Sequence, residues 1–334
     1  MKILVAGGAG YIGSHTVKEL IREGFDVVIF DNFSTGKKEL IVGGEVVIGD
    51  LMDKKSIKKV FSSKKIEAVL HFASLIQVGE SYLNPQKYYT HNLISSLNLL
   101  ETMLESGAKN FIFSSSAAVY GIPEKIPIPE SHPLNPFNPY GQTKFFIENI
   151  LQDYKKAYGL KFISLRYFNA AGADPEGRLG EMHDPETHLI PNILLFLLGK
   201  KKSFELYGTD FATPDGTAIR DYIHVTDLAK AHVLALKKIL ASPQSEFINL
   251  GANKGSSVLE VIKKTEEITG RKVPHKERPR RKGDVPVLLA SKEKAEKILG
   301  WKLRYSSLET IIDTAWSWHS KTARRKTRNV KHKA

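Results

Sequence analysis

Short apolar runs alternate with segments of helical periodicity along the first half of the chain. The runs are typical of buried strands and occupy 2–6, 26–30, 45–48, 68–72, 110–113 and 161–165. Helical periodicity predicts helices that end near residue 23, at 53–61, at 85–105 and at 144–158. Strands that alternate with helices indicate an α/β fold with a doubly wound parallel sheet of the Rossmann type.

The pattern changes after residue 167. The Gly-, Pro- and Asp-rich stretch 168–186 predicts a long loop, which in a compact domain is usually functional. Further helices are expected at 188–198, 226–240, 256–269 and 308–319, and short strands at 204–207, 219–225 and 246–250. The predicted helix caps are Asp53, Thr226-Asp227 and Ser256.

A glycine-rich turn follows the first predicted strand. Gly7, Gly10 and Gly13 have the spacing that allows a tight turn, a close approach of the backbone to a pyrophosphate, and close packing of helix on sheet. Asp31 ends the second predicted strand, where a carboxylate binds an adenosine ribose and favours NAD over NADP. The alternative is a glycine turn that binds no ligand, which this context disfavours.

Tyr140 and Lys144 lie one helical turn apart on the same predicted face. A neighbouring ammonium favours the phenolate, so we expect the pKa of Tyr140 to fall from about 10 towards neutrality. Such a phenolate can take a proton from a sugar or alcohol hydroxyl. The alternative is a chance pair on a solvated helix face.

Composition narrows the classes of protein. The 334 residues are 42% hydrophobic, carry a net charge of +13 and include no cysteine, which excludes disulfides and thiol catalysis. We expect no metal site, no membrane span and, because a strand begins at the N-terminus, no signal peptide and a cytoplasmic location. Residues 321–334 hold seven Lys/Arg and no acid, and are expected to be a disordered basic tail. Without interleaved aromatic residues, nucleic-acid binding by this tail is disfavoured.

Several motifs, in order along the chain, resemble the extended short-chain dehydrogenase/reductase family. They are the glycine turn, Asp31, Gly49-Asp50-Leu51, the segment 114–121 and Tyr140-x-x-x-Lys144. Within that family, the segments 167–169, 187–191 and 215–225 are similar to those of UDP-glucose 4-epimerases, and the similarity extends over residues 1–320. The resemblance implies a cytoplasmic, NAD-dependent isomerase of carbohydrate and galactose metabolism.

The resemblance also implies residue roles. Tyr140 would be the base at the sugar 4-hydroxyl, Ser116 would hydrogen-bond the same oxygen, and Lys144 would hold the nicotinamide ribose. The other cofactor-binding residues would be Gly7, Gly10, Tyr11, Ile12, Gly13, Asp31, Asn32, Asp50, Leu51, Phe72, Ala73, Asn92 and Tyr167. The UDP-sugar would contact Ser116, Tyr140, Asn169, His188, Leu189, Tyr207, Arg220, Arg281 and Asp284, with Arg280 as an alternative to Arg281.

Two positions depart from the family pattern. Ile76 stands where many relatives carry a polar or basic residue, so a contact is lost there. Leu288 stands where relatives carry either a large aromatic or a small residue beside the hexose. This position therefore leaves open whether the pocket has room for an N-acetyl group. Arg220 and Asp221 could also be an ordinary solvated pair.

Rival functions share the fold. Dehydratases resembling this family carry an acid pair soon after the serine-type residue, whereas Ser116 is followed by Ala117 and Ala118. Epimerases of UDP-GlcNAc, UDP-xylose or UDP-glucuronate, and a catalytically silent NAD-binding regulator, remain open. We expect an NAD-binding domain at 1–168, which later segments rejoin, and a mainly nucleotide-sugar-binding region at 169–320. We also expect a homodimer.

Overall fold

A computed structural model describes residues 1–242, 244–281 and 283–331, with side chains as far as Ala323. Its main sheet has seven strands, all parallel, in the order β11-β6-β5-β4-β1-β2-β3. Their bounds are β1 (Lys2–Ala6), β2 (Asp26–Asp31), β3 (Glu45–Ile48), β4 (Ile66–His71), β5 (Asn110–Ser116), β6 (Lys161–Tyr167) and β11 (Glu246–Leu250). The predicted doubly wound parallel sheet is confirmed.

Helices cover both faces of this sheet. Their bounds are α1 (Tyr11–Arg22), α2 (Lys54–Ser63), α3 (Val78–Leu83), α4 (Pro85–Tyr89), α5 (Ser95–Glu105), α6 (Pro139–Tyr158), α7 (Leu189–Leu197), α8 (Val225–Ala241), α9 (Val258–Thr269), α10 (Glu293–Leu299) and α11 (Leu308–Lys331). Alternate residues of each strand point to opposite faces. In β1, Ile3 and Val5 join the core under α1 and α8, whereas Leu4 and Ala6 join the core under α2, α5 and α6.

The strand order reverses beside β1, because the chain leaves β1 towards β2 and β3 and later crosses to β4 on the other side. In open α/β sheets ligands bind at such a switch point, outside the carboxyl ends of the strands. The glycine turn follows β1 at this edge. The topology therefore places the predicted cofactor site in the crevice between the ends of β1 and β4.

Segments beyond residue 168 belong partly to this sheet and partly to a smaller region. Strand β11 forms the sheet edge beside β6, and α8 packs against α1. The smaller region has its own apolar core around Ile193, Val261 and Ile311. Its short strands are β7 (Asn169–Ala171), β8 (Glu205–Tyr207), β9 (Ile219–Arg220), β10 (Tyr222–His224), β12 (Ser256–Ser257), β13 (Lys276–Arg278) and β14 (Val287–Leu288).

Some predicted elements need correction. Helix α3 lies between β4 and α4, where the sequence pattern predicts no element. The loop predicted at 168–186 contains β7, and the strand expected at 219–225 is two strands. The helix expected at 85–105 contains a π-helical segment at Thr90–Ile94. Asp53 caps α2 as predicted, because its side chain accepts the amide of Lys55.

Two predicted caps are displaced. Helix α8 is capped by His224, whose Nδ1 accepts the amide of Thr226, because the Asp227 carboxylate accepts amides of Arg304 and Tyr305 instead. Helix α9 is capped by Ser257 rather than Ser256, in a reciprocal capping box with Glu260.

The C-terminal helix is longer than predicted. Helix α11 continues to Lys331, beyond the helix predicted at 308–319. The disorder expected for the basic tail stays a prediction, and residues 332–334 lie outside the described residues. Over the part of the chain that the structure describes, no helix combines the length and apolar character needed to cross a membrane.

Candidate active site

The glycine turn has a backbone that only glycine accommodates. Gly7 has φ +80°, and a Cβ added there would lie 2.5 Å from the backbone nitrogen of Ala73. A Cβ on Gly13 would lie 2.2 Å from the carbonyl oxygen of Gly7. Side chains at these positions would separate the turn from β4 and from α1. The sequence thus keeps this turn bare and close to the sheet edge.

The first turn of α1 offers backbone donors to an anion. Helix α1 begins at Tyr11 after an extended Gly10. Among the described residues no side chain caps this helix, and no acid occupies its first turn. The first N–H groups of a helix have no acceptor within it, and the helix dipole makes this end positive. The residues present therefore fit the pyrophosphate of a dinucleotide.

Asp31 holds the turn from the neighbouring strand. One carboxylate oxygen accepts the amide of Ala9 at 2.9 Å, and the other accepts the amide of Phe33 at 2.8 Å. Burial raises the pKa of Asp31, although both hydrogen bonds oppose the rise. Each oxygen keeps a further lone pair with which it can accept a ribose hydroxyl.

The predicted adenine side forms a second small group. Asn32 donates to Asp50 at 3.0 Å, which joins the ends of β2 and β3. Asp50 also accepts the amide of Met52, and Leu51 is buried in the core under α2. The structure thus brings Asp31, Asn32, Asp50 and Leu51 to one end of the crevice.

Ser116, Tyr140 and Lys144 converge at the carboxyl end of β5. The Ser116 side chain accepts the amide of Ala118 and hydrogen-bonds the Tyr140 phenol. Lys144 is buried, and its ammonium donates to the carbonyl of Ser114 at 2.8 Å. The nitrogen lies 5.8 Å from the centre of the Tyr140 ring. Tyr140 and Lys144 therefore lie one turn apart on α6, and Ser116 approaches them from the end of β5.

The predicted fall in the pKa of Tyr140 is wrong for the protein without a bound ligand. Burial raises the pKa of Tyr140, and the hydrogen bond from Ser116 only partly opposes the rise. Burial also lowers the pKa of Lys144 to about 7, against the attraction of Glu148. Desolvation penalises both charged forms, which the spacing argument did not include.

The nicotinamide side is closed by aromatic and small residues. Phe72 follows β4 and packs on His232 with ring centres 4.7 Å apart. Ala73 approaches Gly7, as described above, and the Tyr167 hydroxyl is hydrogen-bonded to Ser114. Burial raises the pKa of Tyr167, so this hydroxyl stays neutral.

Four residues predicted to bind substrate gather although they are far apart in sequence. Asp284 pairs with Arg281 at 3.1 Å and lies 3.8 Å from Arg220. The Arg281 guanidinium lies over the Tyr207 ring, 5.5 Å from its centre. Arg220 also donates to the carbonyl of Val285 at 2.8 Å, and its side chain is mostly buried, so it is not an ordinary solvated charge. Two guanidinium groups at one place suit a diphosphate.

Arg280, the alternative to Arg281, is engaged elsewhere. It donates to Asp210 at 2.7 Å and lies over the ring of Phe211, 4.2 Å from its centre. The geometry therefore favours Arg281 over Arg280 at the arginine pair.

Comparisons with known proteins agree with this geometry. Residues 3–251 match the model of the NAD dependent epimerase/dehydratase family. A UDP-glucose 4-epimerase from Halalkalibacterium halodurans is 49% identical over 319 residues, which is 96% of each chain. The chain belongs to the NAD dependent epimerase/dehydratase family.

Solved structures of two relatives extend the comparison. A UDP-glucose 4-epimerase from Brucella ovis in complex with NAD is 47% identical, with a TM-score of 0.92 over 94% of this chain and 97% of that one. One from Bifidobacterium longum in complex with NAD⁺ and UDP is 39% identical, with a TM-score of 0.91 over 96% and 98%.

A buried network of charged side chains lies next to Lys144 on α6, and the sequence pattern did not predict it. Glu148 lies one turn after Lys144 and pairs through both oxygens with Arg166, at 3.0 and 2.6 Å. The same carboxylate accepts the hydroxyls of Ser115 and Ser164, each at 2.8 Å. The network fixes α6 to the ends of β5 and β6. The available sequence signal was a pair of charged residues beside apolar ones: Glu148 in the predicted helix 144–158 and Arg166 directly after the predicted strand 161–165.

Asn92 holds a loop rather than presenting a free amide. Its oxygen accepts the amide of Leu75 at 2.8 Å, and its nitrogen donates to Leu75 and to the Thr143 hydroxyl at 3.1 and 3.0 Å. It lies in the π-helical segment, a feature frequent at functional sites. Asn92 thereby joins the loop after β4 to α6.

The remaining predicted residues lie at the entrance to the smaller region. The amide of Asn169, in β7, donates to the carbonyl of Asp221 at 3.0 Å, and Leu189 is the first residue of α7. Tyr11 donates to the carbonyl of Gly172, and Ile12 is partly buried behind it. His188 Nδ1 is hydrogen-bonded to Glu181, which leaves Nε2 for a further partner.

The two departures from the family pattern differ in burial. Ile76 is 41% exposed. Leu288, in β14 beside Arg220, is partly buried in an apolar cluster with Val119 and Phe168. Leu288 therefore contributes to packing as well as to the entrance.

Proposed function

We propose that this protein interconverts UDP-glucose and UDP-galactose by inverting the configuration at sugar C4, with NAD as its resident cofactor. The observation that carries the proposal is the convergence of Ser116, Tyr140 and Lys144, in which the Lys144 nitrogen lies 5.8 Å from the centre of the Tyr140 ring and donates to the carbonyl of Ser114. This group lies at the same sheet edge as the bare glycine turn. Family membership and the names of the relatives support the same reaction.

Tyr140 is the proposed base. Its phenolate takes the proton of the sugar 4-hydroxyl and becomes the phenol, and Ser116 hydrogen-bonds the sugar oxygen during the transfer. When bound, NAD would supply the hydride acceptor for sugar C4 and the hydride donor for the resulting ketone. Lys144 holds the nicotinamide ribose, and its positively charged ammonium form stabilises the phenolate. Because burial opposes the phenolate, a positive charge beside Tyr140 is needed for it to form.

The crevice provides the proposed binding contacts. The turn at Gly7, Gly10 and Gly13, with Tyr11 and Ile12, would surround the pyrophosphate, and Asp31 would accept the ribose hydroxyls. Asn32, Asp50 and Leu51 would border adenosine, and Phe72, Ala73, Asn92 and Tyr167 the nicotinamide side.

The smaller region would hold the UDP-sugar. Arg220 and Arg281 would donate to its diphosphate, with Asp284 orienting both guanidinium groups. Tyr207, Asn169 and Leu189 would surround the rest of the nucleotide sugar. His188 would contact the nucleotide sugar through Nε2, because its Nδ1 is hydrogen-bonded to Glu181.

A substrate panel separates this function from its rivals. Purified protein would be incubated with UDP-galactose, UDP-GlcNAc, UDP-xylose and UDP-glucuronate, and NAD would be quantified in a denatured extract. We expect UDP-glucose from UDP-galactose without net consumption of added NAD. Activity that needs stoichiometric NAD and releases a keto-sugar would contradict the proposal, and bound NAD with no turnover would indicate the silent regulator.

We also propose a homodimer that works in the cytoplasm. Exposed apolar side chains on neighbouring helices support self-association: Ile94 beside α5 and Phe146 on α6 are 41% and 40% exposed. Exposed apolar side chains on neighbouring helices are a feature of protein interfaces. The cytoplasmic location is supported by a chain without cysteine.

A further inference from the structure

Four potential metal ligands meet in the segment between β7 and α7. They are two carboxylates and two imidazoles, Glu181, His183, Glu186 and His188. One ligand atom from each lies within 4.8 Å of all the others. The Glu181 and Glu186 side chains are each only 4% exposed, while those of His183 and His188 are 22% and 41% exposed. None of the proposed catalytic steps uses this cluster.

The distances within the cluster resemble those of a tetrahedral site. Glu181 Oε1 lies 2.8 Å from His183 Nδ1 and is in close contact with His188 Nδ1. Glu186 Oε1 lies 3.9 Å from both imidazole nitrogens. A Zn²⁺ ion with bonds of about 2.0–2.1 Å separates its four ligand atoms by about 3.3–3.4 Å. The observed separations fall on both sides of that value, so small rotations of the side chains would complete the site.

We propose that one Zn²⁺ ion binds among these four side chains: Glu181, His183, Glu186 and His188. Two imidazoles and two carboxylates form a donor set that suits Zn²⁺. Both imidazoles present Nδ1 to the same carboxylate oxygen, and binding displaces any proton on these atoms. The divalent ion also compensates two carboxylates that lie buried side by side.

All four positions are filled by the protein, which is typical of a structural site rather than a catalytic one. The His183 ring lies edge-on to Tyr11, with ring centres 6.0 Å apart. The carbonyl of Glu181 accepts the indole N–H of Trp318 at 3.2 Å. The ion would therefore join the glycine turn, the segment before α7 and α11. This proposal does not depend on the reaction proposed above.

The first experiment measures metal directly. Wild type, His183→Gln and the control His275→Gln would be gel-filtered, and zinc would be measured by mass spectrometry. His275 is an exposed histidine outside the cluster. We expect one zinc per chain in wild type and in His275→Gln, and loss of nearly all of it in His183→Gln. Equal zinc in all three proteins, or none in wild type, would overturn the proposal.

Cobalt provides a readout of geometry. Chelator-treated wild type loaded with Co²⁺ should show the intense visible bands of a four-coordinate ion, and His183→Gln should not. Glu186→Gln is the second variant, because its side-chain oxygen can still accept the amides of Thr187 and His188 and so preserve the fold. A folded Glu186→Gln protein that binds Co²⁺ as wild type does would contradict the assignment.

Thermal unfolding tests the structural role. EDTA should lower the melting temperature of wild type, and added Zn²⁺ should restore it in a concentration-dependent way. The melting temperature of His183→Gln should respond to neither. A wild-type melting temperature that does not change with EDTA or Zn²⁺ would show that the cluster is an ordinary network of ion pairs and would refute the proposal.

Discussion

At the residue scale, Tyr140 is the group whose chemistry the site depends on. Tyr140→Phe keeps the ring and its packing but removes the proposed base. We expect turnover to fall by about 10²–10⁴, the usual contribution of a positioned general base. The free energy of unfolding should change by at most about 1.5 kcal/mol, the net worth of one hydrogen bond. Turnover and melting temperature measured together check both expectations.

The control for this change lies on the same helix. Tyr158 is 55% exposed at the C-terminal end of α6, and Tyr158→Phe should leave turnover unchanged. If a folded Tyr140→Phe protein kept more than about a tenth of the wild-type rate, another group would have to be the base.

Lys144 is expected to cost stability while it supports activity. Its pKa is about 7 in the folded protein and about 10.5 when unfolded, so the folded state binds fewer protons between these values. Wild-type stability should therefore rise with pH across that window. Lys144→Met should stabilise the ligand-free protein most at or below pH 7, and the gain should shrink towards pH 10.5. Urea unfolding at several pH values tests this.

The same variant should slow turnover. Without the ammonium, the pKa of Tyr140 rises, and each unit of rise lowers the phenolate fraction about tenfold at a fixed pH below it. The acidic limb of the pH–rate profile should move to higher pH in Lys144→Met. An unmoved limb would mean that Lys144 does not stabilise the phenolate.

Leu288 tests sugar selectivity. Leucine leaves more room at the entrance than an aromatic residue, so we expect measurable turnover of UDP-GlcNAc. Leu288→Tyr should lower the ratio of kcat/KM for UDP-GlcNAc over UDP-glucose by about tenfold or more, because a pocket rejects added bulk by about 1–3 kcal/mol. Kinetics with both sugars gives the ratio, and an unchanged ratio would exclude this position as the gate.

At the element scale, the Glu148–Arg166 pair holds α6 against β5 and β6. Glu148→Gln leaves the Arg166 charge buried without its partner, so we expect a loss of about 3–5 kcal/mol in the free energy of unfolding. Glu101→Gln is the control, since its pair with Lys54 is exposed and should be worth less than about 1 kcal/mol. Urea unfolding distinguishes them, and equal losses would remove the network from the account of the site.

The elements themselves could largely be predicted from the sequence. Strands β1, β3 and β11 have the predicted bounds, because a buried strand needs only a local apolar run. Helix α3 and the π-helical segment could not be predicted, since the contacts that hold them come from distant residues. One such contact joins Asn92 to Thr143, 51 residues apart.

At the scale of the whole molecule, self-association should involve the face of α4 to α6. Phe146→Glu places a charge on that face and should weaken dimerisation by roughly 30-fold or more, the loss expected for a central apolar contact. Leu240→Glu on α8, which covers the opposite face of the sheet, is the control. Analytical ultracentrifugation gives the mass, and a monomeric wild type would contradict the proposed dimer.

The sequence by itself determined the doubly wound sheet, the glycine turn and the spacing of Tyr140 and Lys144 on one helix. These features depend on short-range patterns: apolar periodicity, glycine at a bare turn, and two residues one helical turn apart. The family resemblance also selected Arg281 and Asp284, which the structure brings to Arg220.

Only the tertiary structure decided the direction of the pKa shifts and the hydrogen-bond partner of His188. The pKa shifts depend on desolvation in the folded protein, which no local spacing encodes. Burial reversed the shift predicted for Tyr140. Folding of the segment before α7 brings His188 Nδ1 to Glu181, a contact that the sequence pattern did not indicate.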